Sequence, residues 1–231
     1  MTRPGVALRL ALRDLYENSW RLVPVNALLG LVLAVAVVGA LAAPPVFLLA
    51  ILGGPVAAAL VHGAVTLVRT GSLAFADVVD GFELHWRRGL ALAAPGTAFL
   101  GLAVVALRFY GRSATAWPLA FVTLYLVVVA GVYQVVLWTI AIAEPARPLR
   151  AAARDAAELV ARRPGGTLAL GLALLAVNAA GVAAAVMPFL TVTVAYSFLA
   201  AARFVIAPED SASWPRSRSS TSPRSSTTPS P

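Results

Sequence analysis

Six of the ten acidic residues in this chain belong to a pattern that occurs three times. Each copy has an Asp, a Glu three residues later, a Trp or Ala three residues after the Glu, and then an Arg. The residues of the three copies are Asp14, Glu17, Trp20 and Arg21, then Asp80, Glu83, Trp86 and Arg87, then Asp155, Glu158, Ala161 and Arg162. Paired carboxylates can act as the acid and base of a glycosidase, bind a cation or a sugar, or form salt bridges.

An arginine accompanies every pair of carboxylates, which favours salt bridges over catalysis. Residues three or four apart share one face of a helix, so the pattern predicts the pairs Glu17–Arg21 and Glu158–Arg162. The Asp of each copy would then pair with the Arg of the next copy, in a ring of salt bridges between three units. The alternative is a polar entrance in which the carboxylates meet a cation or a sugar and the two tryptophans stack on it. We do not expect an enzyme.

The composition indicates a membrane protein. The chain has 231 residues, of which 60% are hydrophobic and 12% charged, and its mean hydropathy is +0.84. No charged residue lies between Arg21 and Arg69 or between Arg163 and Arg203. Because about 20 helical residues cross a bilayer, each of these segments accommodates two spans. The sequence therefore predicts an all-α bundle with about six transmembrane helices.

The predicted helices form three repeats of an amphipathic helix followed by a transmembrane hairpin. The predicted spans are 22–43, 46–68, 89–107, 117–143, 167–187 and 189–206. The repeats cover about 3–68, 72–143 and 147–206, so that the membrane domain is 1–207. Residues 208–231 are rich in Ser, Pro and Arg, and too few of them are apolar to form a core. We expect a disordered cytoplasmic tail there.

The arginines predict the orientation in the membrane. With both termini in the cytoplasm, all 18 basic residues except Arg108 and Arg112 lie on the cytoplasmic side, as the positive-inside rule requires. The same bias explains the isoelectric point of about 11.2, so no nucleic-acid partner is expected. The chain has no cysteine and only two histidines, so we expect neither a metal site nor another cofactor.

Few polar residues lie inside the predicted spans. The candidate intramembrane site consists of Asn26, Gly54, Pro55, His62, Gln134 and Asn178. Buried amide and imidazole groups in membranes commonly form hydrogen bonds between helices. The alternative is a path for a small solute near Gly54, Pro55, His62 and Gln134. Gly54 and Pro55 are also expected to kink or split the second span.

The order of features resembles the YesL-like family of bacterial membrane proteins, a domain of unknown function. The resemblance rests on Asn26 at the start of the first span, on the segment 54–60 (GPVAAAL), and on Phe82 with 85–88 (HWRR) before the third span. It implies a protein of the cytoplasmic membrane that is accessory to carbohydrate uptake. Ala161 departs from the Trp of the other copies, which argues against a symmetric aromatic site.

The expected function is that of a transport-associated or scaffolding subunit. Its partners would be the lipid bilayer and either other transport subunits or a second copy of the chain. The alternative is an autonomous permease for a small solute.

Overall fold

A computed structural model of the chain describes residues 3–112, 115–183 and 192–206, and these residues are almost entirely helical. The α-helices are α1 (Pro4–Glu17), α2 (Ser19–Ala42), α3 (Gly54–Thr70), α4 (Phe75–Tyr110), α5 (Trp117–Ala143), α6 (Leu149–Arg162), α7 (Pro164–Ala183) and α8 (Val194–Val205). A 3₁₀ helix, Pro44–Gly53, connects α2 to α3. The predicted all-α class is confirmed.

Five helical segments in the described residues are long and apolar enough to cross a membrane. The first is α2, and the second combines the 3₁₀ helix with α3. The other three are α4, α5 and α7. This is compatible with the predicted helical membrane bundle. The sixth predicted span, 189–206, begins outside the described residues. Its described part is α8, whose 12 residues extend about 18 Å, less than a bilayer core, so the count of six stays a prediction.

The second predicted span is divided at Gly54, as its Gly and Pro residues suggested. Pro55 lies in the first turn of α3, where its missing amide costs little because that amide would have no helical acceptor. The preceding 3₁₀ helix ends at Gly53. The change of helix type therefore occurs where the chain can omit a hydrogen bond most easily.

The second repeat differs from the predicted arrangement. A short helix ending at residue 88 and a separate span beginning at residue 89 were expected. Instead α4 is a single helix of 36 residues, because Gly81 and Gly89 allow close packing against α3 and do not end the helix. In the other copies the chain does break, at Asn18 between α1 and α2 and at Arg163 between α6 and α7.

Helix α3 lies at the centre of the described bundle. Most of its residues from Val56 to Val68 are buried, and it packs against α2, α4, α5 and α8. Its closest approach to α4 is at Gly54 and Gly89, where a Cβ atom on either glycine would lie 2.5 Å from the carbonyl oxygen of the other. Gly71, with φ of 75°, ends α3 and begins the short turn to α4, a backbone conformation that favours glycine.

Apolar side chains cover the outer surface of the bundle. Leu102 and Phe109 on α4 and Phe121 and Tyr125 on α5 are exposed. The halves of α4 and α5 that carry them have few buried residues, whereas much of the C-terminal half of α5 is buried. An apolar surface of this extent needs a nonpolar solvent, which for a chain of this composition is lipid.

Candidate functional site

The first copy of the charged pattern supplies a buried ion pair between the two ends of the described chain. Asp14 Oδ2 on α1 accepts hydrogen bonds from Nε and Nη2 of Arg203 on α8, both at 2.7 Å. Only 5% of the Asp14 side chain and 17% of the Arg203 side chain are exposed. Ala7 and Ala11 beside this pair are fully buried, and the Tyr196 hydroxyl donates to the carbonyl of Leu8 at 3.1 Å. Helices α1 and α8 are therefore joined by both packing and charge.

The other residues of the first copy bond locally. Glu17 pairs with Arg13 at 3.7 Å on the exposed surface, and Arg21 Nη1 donates to Asn18 Oδ1 at 3.1 Å. The predicted pair Glu17–Arg21 is not formed, because the break at Asn18 places these residues on different helices. The Arg21 guanidinium lies 4.4 Å from the centre of the exposed Trp20 ring.

The second copy remains on the surface of α4. Asp80, Glu83, Trp86 and Arg87 are exposed, and within the described part of the chain neither carboxylate forms an ion pair. The Arg87 guanidinium lies 5.0 Å from the centre of the Trp86 ring. The four side chains thus form an exposed charged and aromatic patch on α4.

The third copy forms its predicted local pair, Glu158 with Arg162 on α6. Asp155 pairs with Arg147, which also contacts Glu144 at 3.1 Å. These residues line a shallow polar cavity of about 470 Å³. Over the three described stretches, the predicted ring of salt bridges between successive copies is not formed.

Two arginines outside the pattern fix the connection between α5 and α6. Arg88 donates to the carbonyls of Pro145 and Arg147, both at 2.6 Å, and Arg69 donates to the carbonyl of Ala143 at 3.1 Å. The Ala143 carbonyl ends α5 and has no helical donor, so Arg69 replaces its missing bond. The Pro145 and Arg147 carbonyls lie in the connection itself, and Arg88 is their donor. Spacing along the chain does not predict these bonds of Arg88, since its carbonyl acceptors are more than fifty residues away.

His62 on α3 contacts a second histidine, His85 on α4. The Nδ1 atom of His62 and the Nε2 atom of His85 are 3.2 Å apart, and His85 is buried. Gly81 leaves room for the His62 ring, since a Cβ atom there would lie 2.8 Å from His62 Cβ. The short turn after Gly71 brings the two histidines together, and Gly71 between two helical segments is the sequence signal for this contact. No third metal-binding side chain joins them among the residues that the structure describes.

The remaining polar residues of the candidate site lie at separate helix contacts. Gln134 Nε2 on α5 donates to the carbonyl of Leu92 on α4 at 2.8 Å, one turn before the helical Pro95. Asn178 on α7 donates to the hydroxyl of Ser197 on α8 at 2.8 Å. Both agree with the predicted bonds between helices.

The six residues of the candidate intramembrane site lie at different helix contacts of the described bundle. Gly54, Pro55 and His62 lie on α3, largely against α4, whereas Asn26 is buried in α2. A cavity of about 440 Å³ between α4 and α5 contains Gln134 alone of the six.

No family model matches the chain, and no curated protein or solved structure matches it. The resemblance to the YesL-like family therefore stays a prediction that rests on the residues given above.

Proposed function

We propose that this chain is a scaffolding or transport-associated subunit of the cytoplasmic membrane, related to the YesL-like proteins and accessory to carbohydrate uptake. One observation carries the proposal: Gln134, Asn178 and the His62–His85 pair each form their hydrogen bonds inside the protein, at three different helix contacts. A path for a polar solute would need such groups around a shared space. Their separation supports a role in holding helices together.

The packing of α3 supports the same role. Gly54 and Gly89 bring the backbones of α3 and α4 into direct contact, which leaves no space for a solute between these helices. Interhelical hydrogen bonds in membranes contribute about 0.6 to 2 kcal/mol each, so the bonds of Gln134 and Asn178 add to the rigidity of the bundle. A rigid bundle is suited to presenting a surface to a partner.

The exposed patch of the second copy is the surface that we assign to the partner. Asp80 and Glu83 lie on α4 away from the buried face of that helix, with Trp86 and Arg87 beside them. Carboxylates next to an exposed indole suit a basic and apolar segment of another membrane protein, because complementary charge gives specificity and an aromatic ring gives contact area.

The proposed topology has six spans in three units, with both termini in the cytoplasm. The contact between Asp14 and Arg203 brings the end of α1, just before α2 begins, next to the end of α8, which supports an even number of crossings from α2 to α8. The distribution of the arginines supports the cytoplasm as that side. Reporter fusions after residue 206 and in the connection near Arg112 test this topology, and activity of the first reporter outside the cytoplasm would contradict it.

Purification from native membranes in a mild detergent tests the scaffold. We expect another membrane protein to copurify in stoichiometric amount, and we expect the double variant Asp80→Asn and Glu83→Gln to lose it. The matched control, Glu144→Gln with Glu158→Gln, removes two acids elsewhere and should retain the partner. Recovery of the chain alone, or equal loss with both double variants, would contradict the proposal.

The alternative function is a small-solute permease, whose path would pass through the cavity beside Gln134. Its test is sugar flux into liposomes that contain the purified protein, with Gln134→Ala and His62→Ala as variants. Flux above that of empty liposomes, abolished by Gln134→Ala, would favour the permease over the scaffold.

A further inference from the structure

One face of α6 combines two arginines with two alanines. Arg150, Arg154, Ala157 and Ala161 follow one another at helical spacings of four, three and four residues, so they share a face. All four are exposed. Within the described residues neither arginine forms an ion pair, so both guanidinium groups are available to an anion.

The corresponding positions of the first copy carry larger side chains. The spacing is the same for Arg9, Arg13, Tyr16 and Trp20. These residues stand relative to Asp14 and Glu17 as the four residues of α6 stand relative to Asp155 and Glu158. Tyr16 is 85% exposed and Trp20 is 64% exposed. The third copy thus keeps the two arginines of this face and replaces its two aromatic residues by alanine.

An apolar groove lies where the aromatic residues are missing. Ala157 and Ala161 form one wall of a cavity of about 410 Å³, and Leu126 and Val129 on α5 form part of the other wall. The polar cavity lined by Asp155, Glu158 and Arg162 is a separate one. Helix α6 therefore borders a polar cavity on one face and an apolar cavity on another.

The groove continues along α5 toward α4. The cavity next to Ala157 and the 440 Å³ cavity between α4 and α5 share Phe99, Ala130 and Tyr133 as lining residues. Along α5 the lining extends from Leu126 to Gln134, which corresponds to about 12 Å of helix. The result is a narrow apolar groove of elongated shape.

The Tyr133 hydroxyl and the Gln134 amide nitrogen in the lining already have acceptors inside the protein. The Tyr133 hydroxyl donates to the carbonyl of Ala153 at 3.2 Å, and the Gln134 amide donates to the carbonyl of Leu92 at 2.8 Å. A polar solute in the groove would compete with these bonds, whereas a hydrocarbon chain would leave them intact. The chemistry of the lining therefore selects an apolar occupant.

We propose that this groove binds one acyl chain of an anionic phospholipid, whose phosphate group contacts Arg150 and Arg154. An acyl chain matches the apolar and elongated shape of the groove, and the bilayer around the bundle supplies it. Arginines at a membrane surface attract anionic lipid through their charge and extend along apolar surface to reach the headgroups. The proposal is independent of the scaffold function, because lipid binding requires no protein partner.

Photo-crosslinking tests the proposal. The purified full-length chain is placed in liposomes of phosphatidylcholine and phosphatidylglycerol, with a photoreactive acyl chain on one lipid at a time, and labelled peptides are identified by mass spectrometry. We expect label from phosphatidylglycerol to concentrate on α5 and α6. Each arginine should contribute about a fivefold preference over phosphatidylcholine, which Arg150→Gln with Arg154→Gln should abolish.

Two variants fill the groove in different ways. Ala157→Tyr with Ala161→Trp installs the residues of the first copy, and Gly131→Leu adds a side chain where a Cβ atom would meet nothing within 4 Å. Both should lower the label on α5 and α6 several-fold, and either one suffices for the test if the other does not fold.

The matched control removes the two arginines at the same positions of the first copy, Arg9→Gln with Arg13→Gln, and should leave the label on α5 and α6 unchanged. Three outcomes would overturn the proposal. They are even labelling of all exposed apolar helices, unchanged labelling in every folded groove variant, and an equal loss of lipid preference in the two double arginine variants.

Discussion

Replacement of Asp14 by Asn should lower the free energy of unfolding by about 3 kcal/mol, the lower end of the range for breaking a buried ion pair. The carboxylate accepts two hydrogen bonds from Arg203, both at 2.7 Å, and an amide retains the shape but loses the charge. The lower end applies because 17% of the Arg203 side chain is exposed, so water compensates part of the lost interaction.

Reversible unfolding in mixed detergent micelles, followed by circular dichroism, measures this change. Glu17→Gln is the matched control, because Glu17 pairs with Arg13 on the same helix with both side chains more than half exposed. An exposed pair contributes at most about 1 kcal/mol. The expected difference between the two variants is therefore about 2 kcal/mol or more.

The charge reversal Asp14→Arg with Arg203→Asp completes the test. If the pair itself stabilises the contact between α1 and α8, the double variant should be more stable than the sum of its single variants implies. Equal effects of Asp14→Asn and Glu17→Gln, or strict additivity in the reversed pair, would refute the assignment of a stabilising role to the buried ion pair.

Three further substitutions test the packing of the bundle in the same unfolding assay. Gly89→Ala should cost about 1 to 3 kcal/mol because the added methyl group meets the Gly54 carbonyl, whereas Gly131→Ala should be neutral or stabilising; equal effects would contradict the close contact. Asn178→Leu should cost about 0.6 to 2 kcal/mol through the lost bond to α8, and an unchanged midpoint would argue against that bond. Gln134→Leu should cost a similar amount and should speed hydrogen exchange in α4 near residue 92; unchanged exchange would show that the bond to α4 is dispensable.

The helical class and the apolar segments could be predicted because they depend on local composition. The division of the second span at Gly54 followed from the missing amide of Pro55, and the bond of Asn178 followed from the cost of an unpaired amide in lipid. Each of these features is determined by a few neighbouring residues and their solvent. The same holds for the pair Glu158–Arg162, which lies on one continuous helix.

The features that were missed depend on contacts between distant residues. Charged residues alone do not end a helix, so the continuity of α4 through residue 88 depended on its packing against α3. The partner of Asp14 is 189 residues away, and His85 meets His62 only because the turn at Gly71 aligns two helices. None of these contacts follows from spacing within one helix.

The bond between Asp14 and Arg203 also sets an order for biosynthesis. A ribosome that adds about 5 to 20 residues per second needs roughly 10 to 40 s to proceed from the first of these residues to the second. During that interval the newly inserted α1 has neither its counter-ion nor the surface that covers Ala7 and Ala11. Closure of the contact between α1 and α8 therefore waits for the synthesis of α8, and products terminated before α8 would present an unshielded helix to membrane proteases.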